Sequence, residues 1–232
     1  MAGDNSILDV NGVRAPASAS ELPSAMFDLK LGAGDFALIN SHDQRRAAWF
    51  ADLCSGLVPL SEGCVHFLGR DWEKLPENYA AALRGRIGRV FSFGGWIGSL
   101  DVATNILLPQ LHHTRESEGA LFEQATEVAC AFGLPGLPLS HIDELSDFDL
   151  ARCACVRAFL GEPALLVLES PVRGIFIELR PLLLNAIAIA RGKGAAVIWL
   201  TGDDRIWRDR SFPSTQRLRL RDRGLWPAGR LA

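Results

Sequence analysis

The stretch Pro163-Ala164-Leu165-Leu166-Val167-Leu168-Glu169-Ser170-Pro171 decides the expected fold. A short uninterrupted apolar run that ends in polar residues and a proline is typical of a strand buried on both faces of a parallel sheet. Helical periodicity lies on either side, at about 146–160 and 177–191, and a second buried strand is predicted at Ala195–Leu200. Strands that alternate with helices predict an α/β chain whose mainly parallel sheet is covered on both faces.

The same alternation continues toward the N-terminus. Strands are predicted at Phe36–Asn40, Cys64–Leu68 and Ile87–Phe91, and helices at about 43–55 and 116–132. The region from about 93 to 160 contains no convincing strand, which predicts an inserted helical subdomain. Residues 1–25 are rich in Ala, Ser and Pro and are expected to form an edge strand over Ser6–Val10 with a loop, ahead of one domain over 26–232.

Composition limits the function classes. The chain has 232 residues, is 48% hydrophobic and 22% charged, and carries a formal charge of −3, which describes one folded domain without general attraction for nucleic acid. The longest apolar stretch, 182–190, is far shorter than the roughly 20 residues that cross a bilayer. The N-terminus lacks the pattern of a secretory signal, so a cytoplasmic protein is expected. The five cysteines are predicted to be core thiols, and no metal site is predicted.

Several short motifs occur in a characteristic order between residues 27 and 230. They are Gly34-Asp35, Cys54-Ser55-Gly56-Leu57 followed by Pro59 and Glu62-Gly63, Leu100-Asp101-Val102 followed by Asn105-Ile106 and Leu108-Pro109, Glu144-Leu145-Ser146 with Arg152 and Arg157-Ala158, and Pro163. In these motifs the chain resembles the nucleotide-binding subunits of ABC transporters. The resemblance implies a P-loop NTPase-like fold with an antiparallel β subdomain beside the parallel sheet. It also implies a cytoplasmic subunit, peripheral on the inner membrane, that pairs with a permease and with an identical or different ATPase subunit.

Spacing within the resemblance places Ser41–Ala48 on the eight P-loop positions. A P-loop needs glycines, a lysine and a Mg²⁺-binding hydroxyl, but this segment has no glycine and carries Ala47 and Ala48 at the last two positions. Each lost charge-assisted hydrogen bond is worth about 1.5–3 kcal/mol, so Mg-ATP binding is predicted to be millimolar or weaker. Asp43 is predicted to cap the following helix. Arg45 and Arg46 are the candidate cofactor-binding residues, as a remnant anion site.

The other catalytic positions implied by the resemblance are also altered. Glu169-Ser170 stands where the family has Asp then Glu, so Mg²⁺ coordination at Glu169 is perturbed and the general base for water is absent. The remaining replacements are Gly202 for the phosphate-sensing histidine, Ser92 for a glutamine, Phe176 for an aspartate, and Asp147-Phe148 for two glycines of the signature segment 145–149. These changes predict no catalytic residue and hence a pseudo-ATPase, which would not complete a partner's ATP site either. The alternatives are a working ATPase that uses Arg45, Arg46 and Glu169, and a soluble binding protein.

The segment after the third predicted strand of the sheet is apolar and aromatic. Phe93, Trp96, Ile97 and Leu100 lie where the family receives a permease, and Trp and Phe are favoured in interface cores. The alternative is packing within the helical subdomain. A finer resemblance, over 91–96 and 108–114, is to the ATPase subunits of bacterial MCE/Mla-type lipid transporters, which implies lipid transport. His112 and His113 are interpreted as a solvated pair on a loop.

Overall fold

The computed structural model describes residues 6–14, 25–92, 95–172 and 177–229, and its main element is a six-stranded sheet. The order is β10-β9-β3-β8-β7-β6, and all neighbours are parallel except β10 and β9. The strands are β3 (Phe36–Asn40), β6 (Ile87–Val90), β7 (Leu165–Glu169), β8 (Ala196–Thr201), β9 (Gln216–Arg221) and β10 (Gly224–Pro227). The predicted α/β class with a mainly parallel sheet is confirmed.

Alternate side chains of the central strands enter two separate hydrophobic cores. In β7, Leu166 and Leu168 face one core and Leu165 and Val167 face the other. The first core packs against α3 (Val102–His113), α4 (Glu118–Ala131), α5 (Asp147–Phe159) and α6 (Leu179–Gly192). The second packs against α1 (Gln44–Cys54) and a smaller sheet. A strand buried on both faces needs an uninterrupted apolar run, which is why 164–168 predicted it.

The smaller sheet is antiparallel, with the order β2-β1-β4-β5. Its strands are β1 (Ser6–Arg14), β2 (Phe27–Gly32), β4 (Glu62–Phe67) and β5 (Arg70–Asp71). The prediction of an edge strand over Ser6–Val10 is wrong, because Val10 pairs with Leu29 on one side and with Val65 on the other. β1 is therefore an inner strand, and residues 6–14 contribute to the second core of the chain.

Helices fill the segment between β6 and β7, where no strand occurs in the described residues. Besides α1, α3, α4, α5 and α6, the described residues form α2 (Glu77–Arg84), α7 (Asp204–Arg208) and the 3₁₀ turns Trp72–Lys74 and Ile142–Glu144. His112 and His113 are the last residues of α3, so their placement on a loop is wrong. No helix among the described residues combines the length and the hydrophobicity that membrane crossing requires.

A glycine brings α5 close to the sheet. A Cβ added to Gly88 of β6 would lie 1.8 Å from the carbonyl oxygen of Ala158, a distance that no larger residue could accept. The close approach places Arg157, the residue before Ala158, beside the end of β6. This packing matters for the site described next.

Candidate functional site

The turn from β3 into α1 carries the segment 41–48. The Ser41 N–H donates to the carbonyl of Thr201 (2.8 Å), which ties this turn to the end of β8. A Cβ added to the following Gly202 would lie 3.1 Å from the carbonyl oxygen of Ser41. The two positions that the sequence assigned to the P-loop and to the phosphate sensor are therefore adjacent in the fold.

The N-terminus of α1 is capped by a side chain of this chain. A carboxylate oxygen of Asp43 accepts the Arg46 N–H at 3.1 Å, which confirms Asp43 as the helix cap. The Arg46 guanidinium lies 2.6 Å from a carboxylate oxygen of Asp222, in the turn between β9 and β10, and 3.7 Å from Asp43. Arg45 is exposed on the same helical turn. The two predicted anion-binding arginines therefore differ in environment, and Arg46 is neutralised by carboxylates.

A buried ion pair lies deeper along α1. Glu169, at the end of β7, is only 2% exposed, and its Oε1 accepts from Nε of Arg89 at 2.7 Å. The Arg89 side chain is 11% exposed and also donates from Nη1 to Asp52 of α1 at 2.5 Å. One guanidinium thus holds two carboxylates that reach it from two different elements.

Arg89 also approaches the backbone of the P-loop segment, because its Nη2 lies 3.4 Å from the carbonyl oxygen of Ala48. Ala48 and Glu169 are the two positions that the sequence assigned to Mg²⁺ ligands, and the guanidinium touches both residues. Parallel register explains this, since Arg89 pairs with Val167, two residues before Glu169. Sequence reasoning missed Arg89, although an arginine inside a predicted strand, between Gly88 and Val90, was a readable signal.

Ser170 follows Glu169 in a left-handed backbone conformation, with φ of +46°. Its N–H donates to the carbonyl of Leu200 at 2.9 Å, so the strained position is held by the neighbouring strand end. A serine at this place supplies no carboxylate for proton abstraction. Within the described ranges, no group of three or more His, Cys, Asp or Glu side chains is placed to hold a metal ion.

The N-terminus of α5 is likewise occupied by side chains of the chain. The Ser146 hydroxyl accepts the Asp149 N–H at 3.1 Å and donates to the Asp149 carboxylate at 2.8 Å. Arg152 donates to the same carboxylate and stacks at 4.1 Å on the ring of Phe148. Ser146 and Asp149 of the signature segment therefore satisfy each other's polar groups, while Asp147 adds a further exposed negative charge.

Three of the predicted docking residues, Trp96, Ile97 and Leu100, lie in the loop that leads from β6 to α3. The side-chain amide of Asn105 holds the loop, since it accepts the Ile97 N–H (2.8 Å) and donates to the carbonyls of Ile97 and Leu100. Ile97 is 46% exposed, whereas Trp96 is half-buried against the first core. Phe93 lies outside the described residues, as does Phe176. Trp96 therefore packs internally, whereas docking through the exposed Ile97 stays a prediction.

A pocket of about 170 Å³ opens beside this loop, between β6 and the helices α2, α3 and α5. Arg84, Arg89, Arg157 and His113 line it, together with the ring of Phe91. Burial lowers the pKa of Arg157 to about 10, so this side chain is still charged at neutral pH. Burial, followed by the charge of His112, lowers the pKa of His113. The pocket is thus cationic, and it shares Arg89 with the buried ion pair.

Similarity searches connect the chain with ATP-binding proteins of known transporters. It is 26% identical over 145 residues to the bacitracin export ATP-binding protein BceA of Halalkalibacterium halodurans, covering 62% of this chain and 57% of that protein. It is 28% identical over 202 residues to the methionine import ATP-binding protein MetN 2 of Burkholderia mallei, covering 85% of this chain and 49% of that protein. The chain thus spans about half the length of the curated relatives it matches. No protein-family model matches it.

The fold is shared with solved structures. The dimeric structure of MJ0796, a bacterial ABC transporter cassette, superposes with a TM-score of 0.81 at 17% sequence identity, covering 94% of this chain and 96% of that one. At this identity the likeness establishes the fold alone, which is that of an ABC ATPase cassette. The chain is thus similar in sequence to ATP-binding proteins of transporters, and its fold is that of an ABC ATPase cassette.

Proposed function

We propose that the chain is an ABC-type subunit that has lost the binding and hydrolysis of Mg-ATP and serves as a structural or regulatory partner of a membrane permease. The ion pair between Arg89 and Glu169 carries this proposal. A guanidinium already neutralises the carboxylate that would hold Mg²⁺. A magnesium ion at Glu169 would have to displace Arg89, and separating the partners of a buried ion pair costs about 3–5 kcal/mol.

The N-terminus of α1 supports the same conclusion. Phosphate binds at a helix N-terminus because the free N–H groups and the helix dipole attract an anion. Here the carboxylate of Asp43 accepts one of those N–H groups, and Asp222 holds the nearby Arg46. A triphosphate would meet two negative side chains and no lysine. The residues at these positions therefore do not fit Mg-ATP, and they supply no hydrolytic step.

The permease partner is proposed from the similarity to transporter ATP-binding proteins and from the loop after β6. That loop contains Phe91, which lines the cationic pocket, and the exposed Ile97, and the side chain of Asn105 fixes its conformation. In this proposal the chain is peripheral on the cytoplasmic face of the membrane and pairs with an identical or a different ATPase subunit. A lipid cargo is proposed on the resemblance of 91–96 and 108–114 alone.

The second candidate is a working ATPase, which the names of the ATP-binding relatives favour. Phosphate release by the purified chain with Mg-ATP separates the two functions. Matched variants are Arg45→Ala, which removes the exposed arginine of the P-loop segment, and Ser170→Ala at the position of the general base. We expect all three proteins to release phosphate at the rate of buffer alone. Turnover by the wild-type chain above both variants would establish the working ATPase instead.

A further inference from the structure

The pocket beside β6 contains one arginine whose charge is not neutralised. Arg84 is paired with Glu77 at 3.0 Å, and Arg89 is paired with Glu169 and Asp52. Among the described residues, Arg157 has no carboxylate within ion-pair distance. None of the described residues that line the pocket together with Arg157 has an acidic side chain.

Arg157 is held in place by contacts that do not neutralise its charge. Its Nη1 donates to the carbonyl of Gly95, and its guanidinium lies 4.6 Å from the ring centre of Trp96 and 5.6 Å from that of Phe91. Its Nη2 is buried and, within the part of the chain that the structure describes, has no hydrogen-bond partner. Buried donors without partners are rare in folded proteins, and a buried charge without a partner is costly. The position is preorganised for an anion that the chain itself does not supply.

The size and the rim of the pocket restrict what this anion is. A volume of about 170 Å³ is too small for a nucleotide, since pockets for such ligands measure roughly 300–1,000 Å³. It is several times the roughly 30 Å³ that one water takes up in the liquid, which suits one side chain. Apolar surface lies at and near the pocket, because Phe91 in its lining is 39% exposed and Ile97, which lies in the same loop as Phe91, is 46% exposed. An acidic side chain of a polypeptide with apolar neighbours would pair with the positive charge of Arg157 and would also cover the apolar surface near the pocket. A free anion would pair with the charge alone.

We propose that this pocket receives the carboxylate of an aspartate or glutamate from a cytoplasmic segment of the membrane partner, with Arg157 as its ligand. The apolar neighbours of that residue then cover Ile97 and Phe91. The inference rests on the proposed function, because it names the chemistry by which the partner is recognised. Arg157 supplies specificity for an acidic residue, and the apolar rim supplies contact area.

Photo-crosslinking with a benzophenone amino acid at position 97 of the full chain, expressed in its own host, tests the inference. Mass spectrometry of the cross-linked peptide is expected to show an integral membrane protein with an Asp or Glu within about one helical turn of the attachment point. Arg157→Met should lower the cross-linked yield at least about thirtyfold, which corresponds to the loss of a buried charge pair. The control Arg208→Met removes an exposed arginine and should leave the yield unchanged.

Charge reversal then isolates the pair. Arg157→Glu should abolish the cross-link, and changing the partner's identified carboxylate to arginine should restore it. If Arg157→Glu does not fold, the Arg157→Met comparison decides. A membrane protein captured with the same yield by the wild-type and Arg157→Met chains would overturn the carboxylate inference and leave docking intact. No membrane protein at position 97 would overturn both.

The remaining alternative is that a free anion, and not a polypeptide carboxylate, binds in the pocket. Inorganic phosphate at about 10 mM, at constant ionic strength, should shift the melting temperature of the wild-type and Arg157→Met chains equally. A shift confined to the wild-type chain would assign the pocket to free phosphate and would contradict the polypeptide ligand.

Discussion

Arg89 and Arg157 lie near the same ring, that of Phe91, at 4.5 and 5.6 Å from its centre, yet their environments are opposite. Arg89 holds two carboxylates from the chain itself. Arg157 holds a backbone carbonyl and keeps one buried N–H group without a partner. Arg89 is therefore neutralised by carboxylates of the chain itself, whereas Arg157 can still bind an anionic group of another molecule.

The comparison separates two consequences of burying an arginine. A neutralised arginine contributes to the stability of the isolated chain, and its loss leaves an uncompensated carboxylate. An arginine without a counter-ion contributes little to that stability, because no ion pair offsets the cost of its desolvation. The contrast can be tested on the free energy of unfolding, and the expected effects below run from the largest to the smallest.

Arg89→Met should produce the largest loss of stability. The substitution keeps the length of the side chain but leaves Glu169 buried without its cation, so we expect a loss of about 3–5 kcal/mol in the free energy of unfolding. Urea denaturation measures it. The double variant Arg89→Met/Glu169→Gln should recover part of the loss, because the unpaired charge is gone. A cost below about 1 kcal/mol for the single variant would contradict the role given to the pair.

Removal of Arg89 should also create a response to divalent cations. In Arg89→Ala the carboxylates of Glu169 and Asp52 lose their shared partner, and Mn²⁺ at about 10 mM is expected to raise the free energy of unfolding by about 1–2 kcal/mol. Thermal unfolding with and without Mn²⁺ measures the gain. The wild-type chain and Arg89→Ala/Glu169→Gln should not respond. An equal response of all three proteins would show that Mn²⁺ binds elsewhere.

Asp43→Ala removes the cap of α1 and should cost about 1 kcal/mol, whereas Asp43→Asn should cost only a few tenths, since asparagine caps equally well. Thermal unfolding of both variants gives the comparison. Equal losses in the two variants would mean that the negative charge beside Arg46, rather than the cap hydrogen bond, stabilises this turn.

Arg157→Met should change the stability of the isolated chain by no more than about 1 kcal/mol. The variant loses one hydrogen bond to the carbonyl of Gly95 but also removes a buried unpaired charge, and the two effects oppose each other. Urea denaturation beside Arg89→Met is the direct comparison. A loss as large as that of Arg89→Met would place Arg157 among the residues that hold the fold and would remove the contrast.

The smallest effect concerns the pH dependence set by His113. Its pKa is lowered from 6.5 in the folded chain, so below pH 6.5 the unfolded chain binds more protons. The free energy of unfolding should therefore fall as the pH falls from 6.5, and His113→Gln should weaken this dependence. Thermal unfolding between pH 7.5 and about 5.5 measures it. The same slope in the wild-type and variant chains would mean that His113 is not desolvated in the pocket.

The fold was predictable from the sequence because short uninterrupted apolar runs such as 164–168 indicate buried parallel strands. The inner position of β1 was not, since the sequence of a single strand does not state how many neighbours pair with it. β2 was missed although Phe27, Leu29 and Leu31 alternate with polar residues, a readable period of two. Helix α3 was missed because Pro109 interrupts its pattern.

The candidate site was predictable in its local parts and not in its long-range pair. Asp43 was predictable as a cap because the residue type and the helix start are neighbours in the chain. The contact between Arg89 and Glu169 joins residues that are 80 positions apart, and only the register of β6 on β7 brings them together. The spacing of residues along the sequence does not determine that register. That no carboxylate of the described residues lies within ion-pair distance of Arg157 likewise follows only from three-dimensional packing.

Titration calorimetry of the full chain with ATP in excess Mg²⁺ tests the central claim most directly, namely that Arg89 and Asp43 already fill the positions of cation and phosphate. The account predicts no binding tighter than about 1 mM, which corresponds to about −4 kcal/mol. A dissociation constant of about 100 µM or lower, lost on Arg45→Ala, would contradict it.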